Sequence, residues 1–151
     1  MGAQSRARGI VDVQGVIPLP DGVTLSVGEK VQINYSNGVA VHEAVTASCS
    51  TSATAANPVK SGNQATASHT VSHSSGCSGN LSVNGGLESY AWPNWHRRDY
   101  YLSTVASGGT RYMFTAKACV NSGSTLWRSK TGTIAAVLAQ SPEVSLACNP
   151  G

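Results

Sequence analysis

Apolar and polar residues alternate with a period of two over several short stretches, the pattern of strands with one buried face. Lys30-Val31-Gln32-Ile33-Asn34-Tyr35 alternates without a break, as does Val23-Thr24-Leu25-Ser26-Val27. Asn37-Gly38 reads as a hairpin turn, because both residues tolerate positive φ. Val39, Val41, Val45 and Ala47 then share one parity in the run to Cys49. Further on, Tyr112, Phe114, Ala116 and Ala118 fall on one face, and Arg111, Met113, Thr115 and Lys117 on the other. Weaker strand signals lie at Ile10–Ile17 (ended by Pro18 and Pro20), Gln64–Val71, Leu81–Val83, Asp99–Val105 and Leu126–Val137. The last of these is expected to close the fold, although 134–139 also fits a short helix. Residues 50–63, rich in Ser, Thr, Ala and Asn, read as a surface loop, and Asn84-Gly85-Gly86 and Asn121-Ser122-Gly123 as turns. No long amphipathic helix competes with this series, so the fold class is all-β, a sandwich or barrel in a single domain.

Composition narrows the setting. Only 11% of the 151 residues are charged, and Ser and Thr together number 33. Solubility therefore rests on hydroxyls and amides, as is common in secreted and particle-surface β proteins. The net charge of +3 is small and dispersed, which argues against nucleic acid. No apolar run is long enough to span a bilayer as a helix. Residues 1–9 read as a flexible basic arm and lack the apolar core of a signal peptide. Export would then follow removal of a leader or another route, such as release with a virus particle. The expected location is extracellular or on a particle surface.

Cys49, Cys77, Cys119 and Cys148 contain no close pair, which disfavours a zinc site and suits two disulfides. Three pairings are open to the sequence, and four free buried thiols are the alternative. The sequential pairing, Cys49–Cys77 and Cys119–Cys148, is the one expected, with the second tethering a tail over residues 141–151.

Five of the nine aromatic residues are concentrated between Tyr90 and Tyr101. Tyr90, Trp92, Trp95, His96, Arg97, Arg98, Tyr100 and Tyr101 form the candidate binding site. Aromatic rings offer rigid apolar area with a polar handle, and arginine adds planar donors, a mix enriched at binding hot spots. The competing structural reading has Trp92 and Trp95 plug one end of the fold, with Arg97 or Arg98 stacked on them. Trp92-Pro93-Asn94 reads as an irregular loop. A protein partner, either a second copy or another subunit, is expected first and carbohydrate second.

Catalytic signals are thin. His96-Arg97-Arg98-Asp99 has none of the companion motifs of a kinase, and no Gly-x-Ser-x-Gly elbow occurs. His69 and His73 would lie about 13 Å apart on a strand, too far to grip one metal, and read as surface histidines. No catalytic residue, metal or cofactor is assigned, and a small secreted hydrolase ranks third.

The segment Gly109-Thr110-Arg111-Tyr112 through Cys119-Val120-Asn121-Ser122-Gly123, with Ser129 and Thr131, resembles the last two strands of a fibronectin type III module. The resemblance covers residues 109–133, implies an immunoglobulin-like antiparallel β-sandwich over about 10–140, and puts Tyr112 at the tyrosine-corner position. It implies adhesion or scaffolding rather than catalysis.

Overall fold

A computed structural model describes residues 17–151. It is all-β, with two antiparallel sheets. The larger sheet, curled into a half-barrel, contains β1 (Lys30–Tyr35), β2 (Gly38–Ala44), β3 (Ser50–Ala56), β4 (Val59–Ser61), β5 (Gln64–His73) and β8 (Thr110–Ala118). β3 and β4 pair with different halves of one edge of β5, and β8 covers its other edge. The smaller sheet contains β6 (Leu81–Ala91), β7 (Asn94–Val105), β9 (Asn121–Thr133), β10 (Val137–Gln140) and β11 (Val144–Asn149). β9 pairs with β6 on one edge and with β10 and β11 on the other, while β7 is the far edge.

Alternation put β1 and β8 on the right residues, and Asn37 does sit in the turn between β1 and β2, but β2 stops at Ala44 rather than running to Cys49, and Val45 and Ala47, expected on its apolar face, are exposed. Several expectations need correction. Residues 50–63 are no loop: they form β3 and β4, and Ala53 and Ala55 are buried. Small residues pack here because β3 lies mid-sheet, flanked by β2 and β5. Val23–Val27 takes no strand conformation. Asn84-Gly85-Gly86 is no turn but the middle of β6, and Asn121–Gly123 starts β9. β9 is not the last strand, and residues 134–139 contain a turn and most of β10 rather than a helix. Of the expected strand at 10–17, only Ile17 is described. It is buried, and its carbonyl meets His42 Nε2 at 2.5 Å. The basic arm at 1–9 lies outside the described residues.

The core is built from small side chains. Val39, Val41, Ala53, Ala55, Val71 and Met113 of the large sheet meet Val83, Val105 and Ala139 of the small one. A second cluster joins Ala65, Ala67, Leu87 and Trp127 to the Cys119–Cys148 disulfide. Trp127 is fully buried, and its indole N–H donates to the Cys148 carbonyl at 2.9 Å. The sequential pairing holds: Cys49–Cys77 joins the β2–β3 turn to the loop after β5, and Cys119–Cys148 joins the end of β8 to β11. The C-terminal residues are thus a paired strand.

His69 is not on the surface. It is fully buried between the sheets, with Nδ1 and Nε2 each 2.8 Å from the hydroxyls of Thr131 and Thr115. The ring fits there because position 85 is glycine, where a Cβ would come within 2.6 Å of the imidazole. Burial pushes its pKa down to about 4, so it is neutral at ordinary pH. His73 is also buried, with Nδ1 3.4 Å from the Thr51 hydroxyl.

The two sheets are tied along one side by bonds from side chain to backbone. Asp99 Oδ2 on β7 accepts the Ala116 amide of β8 at 2.8 Å, and Arg111 Nε on β8 donates to the Thr104 carbonyl of β7 at 2.9 Å.

Candidate functional site: the β6–β7 hairpin and the outer face of the smaller sheet

The aromatic segment is the tip and second strand of a long hairpin. Ala91 pairs with Asn94, leaving Trp92 and Pro93, joined by a cis peptide bond, as a two-residue turn. The irregular loop expected at this point is therefore a tight connection. Trp92 is 85% exposed at its tip and plugs nothing.

Pairing register decides which side chains meet. Leu87, Ser89 and Trp127 are buried on the inner face, so Glu88 and Tyr90 point outward. Tyr90 pairs with Trp95, Glu88 with Arg97 and Gly86 with Tyr100, so these lie on the outer face too. Arg98 is the extra residue of a bulge between Arg97 and Asp99, and its Nε donates to the buried Ser89 hydroxyl at 2.7 Å. His96 takes the opposite parity, with Nε2 3.2 Å from the Ala91 carbonyl, and Tyr101 pairs with Gly85 on the inner parity. The structure thus gathers Tyr90, Trp95, Arg97 and Tyr100 on one face, sets Trp92 at the tip, and turns His96, Arg98 and Tyr101 away.

Three members of this face come from outside the segment. Arg128 and Lys130 of β9 both reach Glu88, at 2.6 and 3.3 Å. The Arg128 guanidinium lies 4.0 Å over the Trp95 ring, which meets Tyr90 edge-on at 5.5 Å. Arg97 stacks 4.1 Å over Tyr100. Stacking by arginine was expected, but the arginine on tryptophan is Arg128, supplied by a strand some thirty residues later. Nothing around Arg128 in the sequence marks it; only the β6–β9 register does. The assembled face holds three cations, Arg97, Arg128 and Lys130, against one carboxylate, Glu88. The ion pairs and stacks hold the rings in fixed poses before any partner arrives. At the far end of β7, Leu102 is 62% exposed and extends the apolar area.

Among the described residues, one group has metal-ligand spacing: Cys49, His73 and Cys77. Its two sulfurs are bonded to each other, which removes them as thiolate ligands. The two disulfides indicate folding in an oxidising environment. No helix among the described residues is long and apolar enough to cross a membrane.

No family model and no curated protein matches the chain. Among solved structures, DesR, a β-glucosidase from Streptomyces venezuelae in complex with D-glucose, aligns with a TM-score of 0.41 and 16% identity, over 64% of this chain and 15% of that one. A β-glucosidase from Kluyveromyces marxianus in complex with glucose aligns with a TM-score of 0.41 and 9% identity, over 61% of this chain and 13% of that one. The chain spans about a seventh of those enzymes' length, and a likeness at this level gives neither a shared fold nor a shared activity.

Proposed function

We propose that this protein is a non-enzymatic interaction module, a subunit or decoration of an extracellular or particle-surface assembly, which docks through the β6–β7 hairpin and the outer face of the smaller sheet. The observation that carries the reading is Trp92, 85% exposed at the tip of a hairpin whose strands are 11 and 12 residues long. A large aromatic ring held out on a rigid support gains most when a partner's pocket removes it from water. Beside it, the excess of Arg97, Arg128 and Lys130 over Glu88 favours a protein surface that presents carboxylates. The immunoglobulin-like reading of the fold belongs here as well. Two antiparallel sheets closing on a fully buried tryptophan beside a disulfide between sheets support it.

The experiment is absolute mass by light scattering across a concentration series, with disulfides intact. A defined oligomer is expected, and Trp92→Ala, which removes no buried group, should weaken association about 30-fold or more, the loss of roughly 2 kcal/mol that marks a hot spot. A chain that stays monomeric throughout, or an oligomer indifferent to both Trp92→Ala and Arg97→Ala, overturns self-docking through this face.

A further inference from the structure

A cleft of about 430 Å³ opens at the other side of the molecule, where β1 and β2 of the large sheet face the end of β10. β10 and β7 are on opposite edges of the smaller sheet, so this cleft is separate from the hairpin face. Four carboxamide side chains line it: Gln32, Asn34, Asn57 and Gln140. Among the described residues, no charged side chain does. Tyr35, Gly38, Val39, Ser141 and Pro142 complete the lining, with Val39 buried in the core and the Tyr35 side chain on the opposite face of β1 from Gln32 and Asn34.

Hydrogen bonding here is unfinished. Gln32 Nε2 donates to Asn34 Oδ1 at 3.0 Å, which leaves the Gln32 carbonyl oxygen and the Asn34 amide hydrogens for another partner. Asn57 Nδ2 makes a long bond, 3.4 Å, to the Ser36 carbonyl. Its Oδ1 is buried and has no partner, the one such side-chain atom among the described residues. Buried polar atoms are nearly always paired, so an orphan lining a cleft points to a donor that arrives from outside.

We propose that this cleft binds a neutral polyhydroxylated ligand of sugar type, about one or two rings in size. A carboxamide sets a donor beside an acceptor, and a pair of adjacent sugar hydroxyls presents the complementary arrangement. Without a charge in the lining, an ionic ligand would lose its hydration with nothing to replace it. Pro142 offers a small apolar wall for the C–H face of a pyranose. The volume sits toward the lower end of the roughly 300–1,000 Å³ range of small-molecule sites. A ligand hydroxyl donating to Asn57 Oδ1 would pair the one buried side-chain atom among the described residues that lacks a partner.

The test is a titration of the ¹⁵N-labelled chain with D-glucose, D-galactose, D-mannose and their β-linked disaccharides, following the side-chain amide signals by NMR. At least one sugar should shift the Gln32, Asn34, Asn57 and Gln140 signals saturably. Asn57→Ala should weaken binding about tenfold, the cost of one good hydrogen bond. Gln32→Ala, at an edge strand with an exposed side chain, keeps the test open if Asn57→Ala fails to fold, and should weaken binding severalfold. The absence of saturable shifts for every sugar overturns the proposal, as does undiminished binding to Gln32→Ala. Shifts confined to residues around Trp92 and Trp95 overturn it too, by assigning the sugar to the hairpin.

Discussion

His69 shows how much one side chain can be asked to do in a core of small residues. It spans the gap between sheets with an imidazole that burial keeps neutral, its two nitrogens meeting the Thr131 and Thr115 hydroxyls. A hydrogen bond with the Lys130 backbone pulls the other way, and the Asp99 carboxylate adds to it. Folded His69 gains its proton near pH 4, whereas the unfolded chain does so near the usual 6.5. The unfolded state therefore binds more protons between those values, and stability falls as pH drops from 6.5 towards 4, by about 3 kcal/mol in total. His42, whose pKa is also lowered by burial, adds to the same trend. Urea midpoints measured from pH 7 to pH 4 should show the fall, and His69→Gln should flatten most of it even if that variant is less stable overall. Residue identity alone did not reveal this role. His69 and His73 sit among serines and threonines, so polarity implied solvent. Gly85, which makes room for the ring, was hidden in an Asn-Gly-Gly string that has every mark of a turn.

At the level of elements, legibility followed contrast. β1 and β8 alternate between side chains of different polarity, and the sequence places both closely. β3 does not, because Ser-Thr-Ser-Ala-Thr-Ala-Ala offers little difference between its faces, and burial of alanine and threonine leaves no apolar signature. β8 carries a further lesson: its alternation is sound, yet Tyr112 and Phe114 point to solvent while Met113 and Thr115 enter the core. The candidate site was half legible. Its aromatic residues are contiguous in sequence, but Glu88, Arg128 and Lys130 join only through register across β6 and β9, which local pattern does not encode. Asp99, too, looked unremarkable, and its carboxylate proves to cap an amide on the free edge of β8. Asp99→Ala should cost about 1–3 kcal/mol, the usual range for leaving such a donor without its charged acceptor. Hydrogen exchange should show the Ala116 amide losing protection selectively, whereas uniform loss across β8 would mean that the seam does not depend on this contact.

For the whole molecule, the two sheets share a core of modest side chains and rely on covalent links. Each disulfide closes a loop of about 30 residues, for which chain entropy gives roughly 3–4 kcal/mol. The Cys119→Ala/Cys148→Ala pair should lose about that much in equilibrium denaturation. The β11 amides should exchange early, because β11 pairs with β9 alone. Little change in either quantity would mean that the Trp127 cluster holds β11 without the bridge.

These two bridges also determine how the molecule would respond to tension. Their half-cystines are separated by 28 and 29 residues, and the two loops do not overlap along the chain. A pull on the two ends of the chain would run through the sulfur atoms and bypass both loops. About 190 Å of potential extension, at 3.3–3.6 Å per residue, would stay locked however far the strands are peeled. Single-molecule stretching should register that length as an added increment in contour once a reductant is present. Under load, such locking would withhold the residues inside both loops from extension while the strands outside them give way.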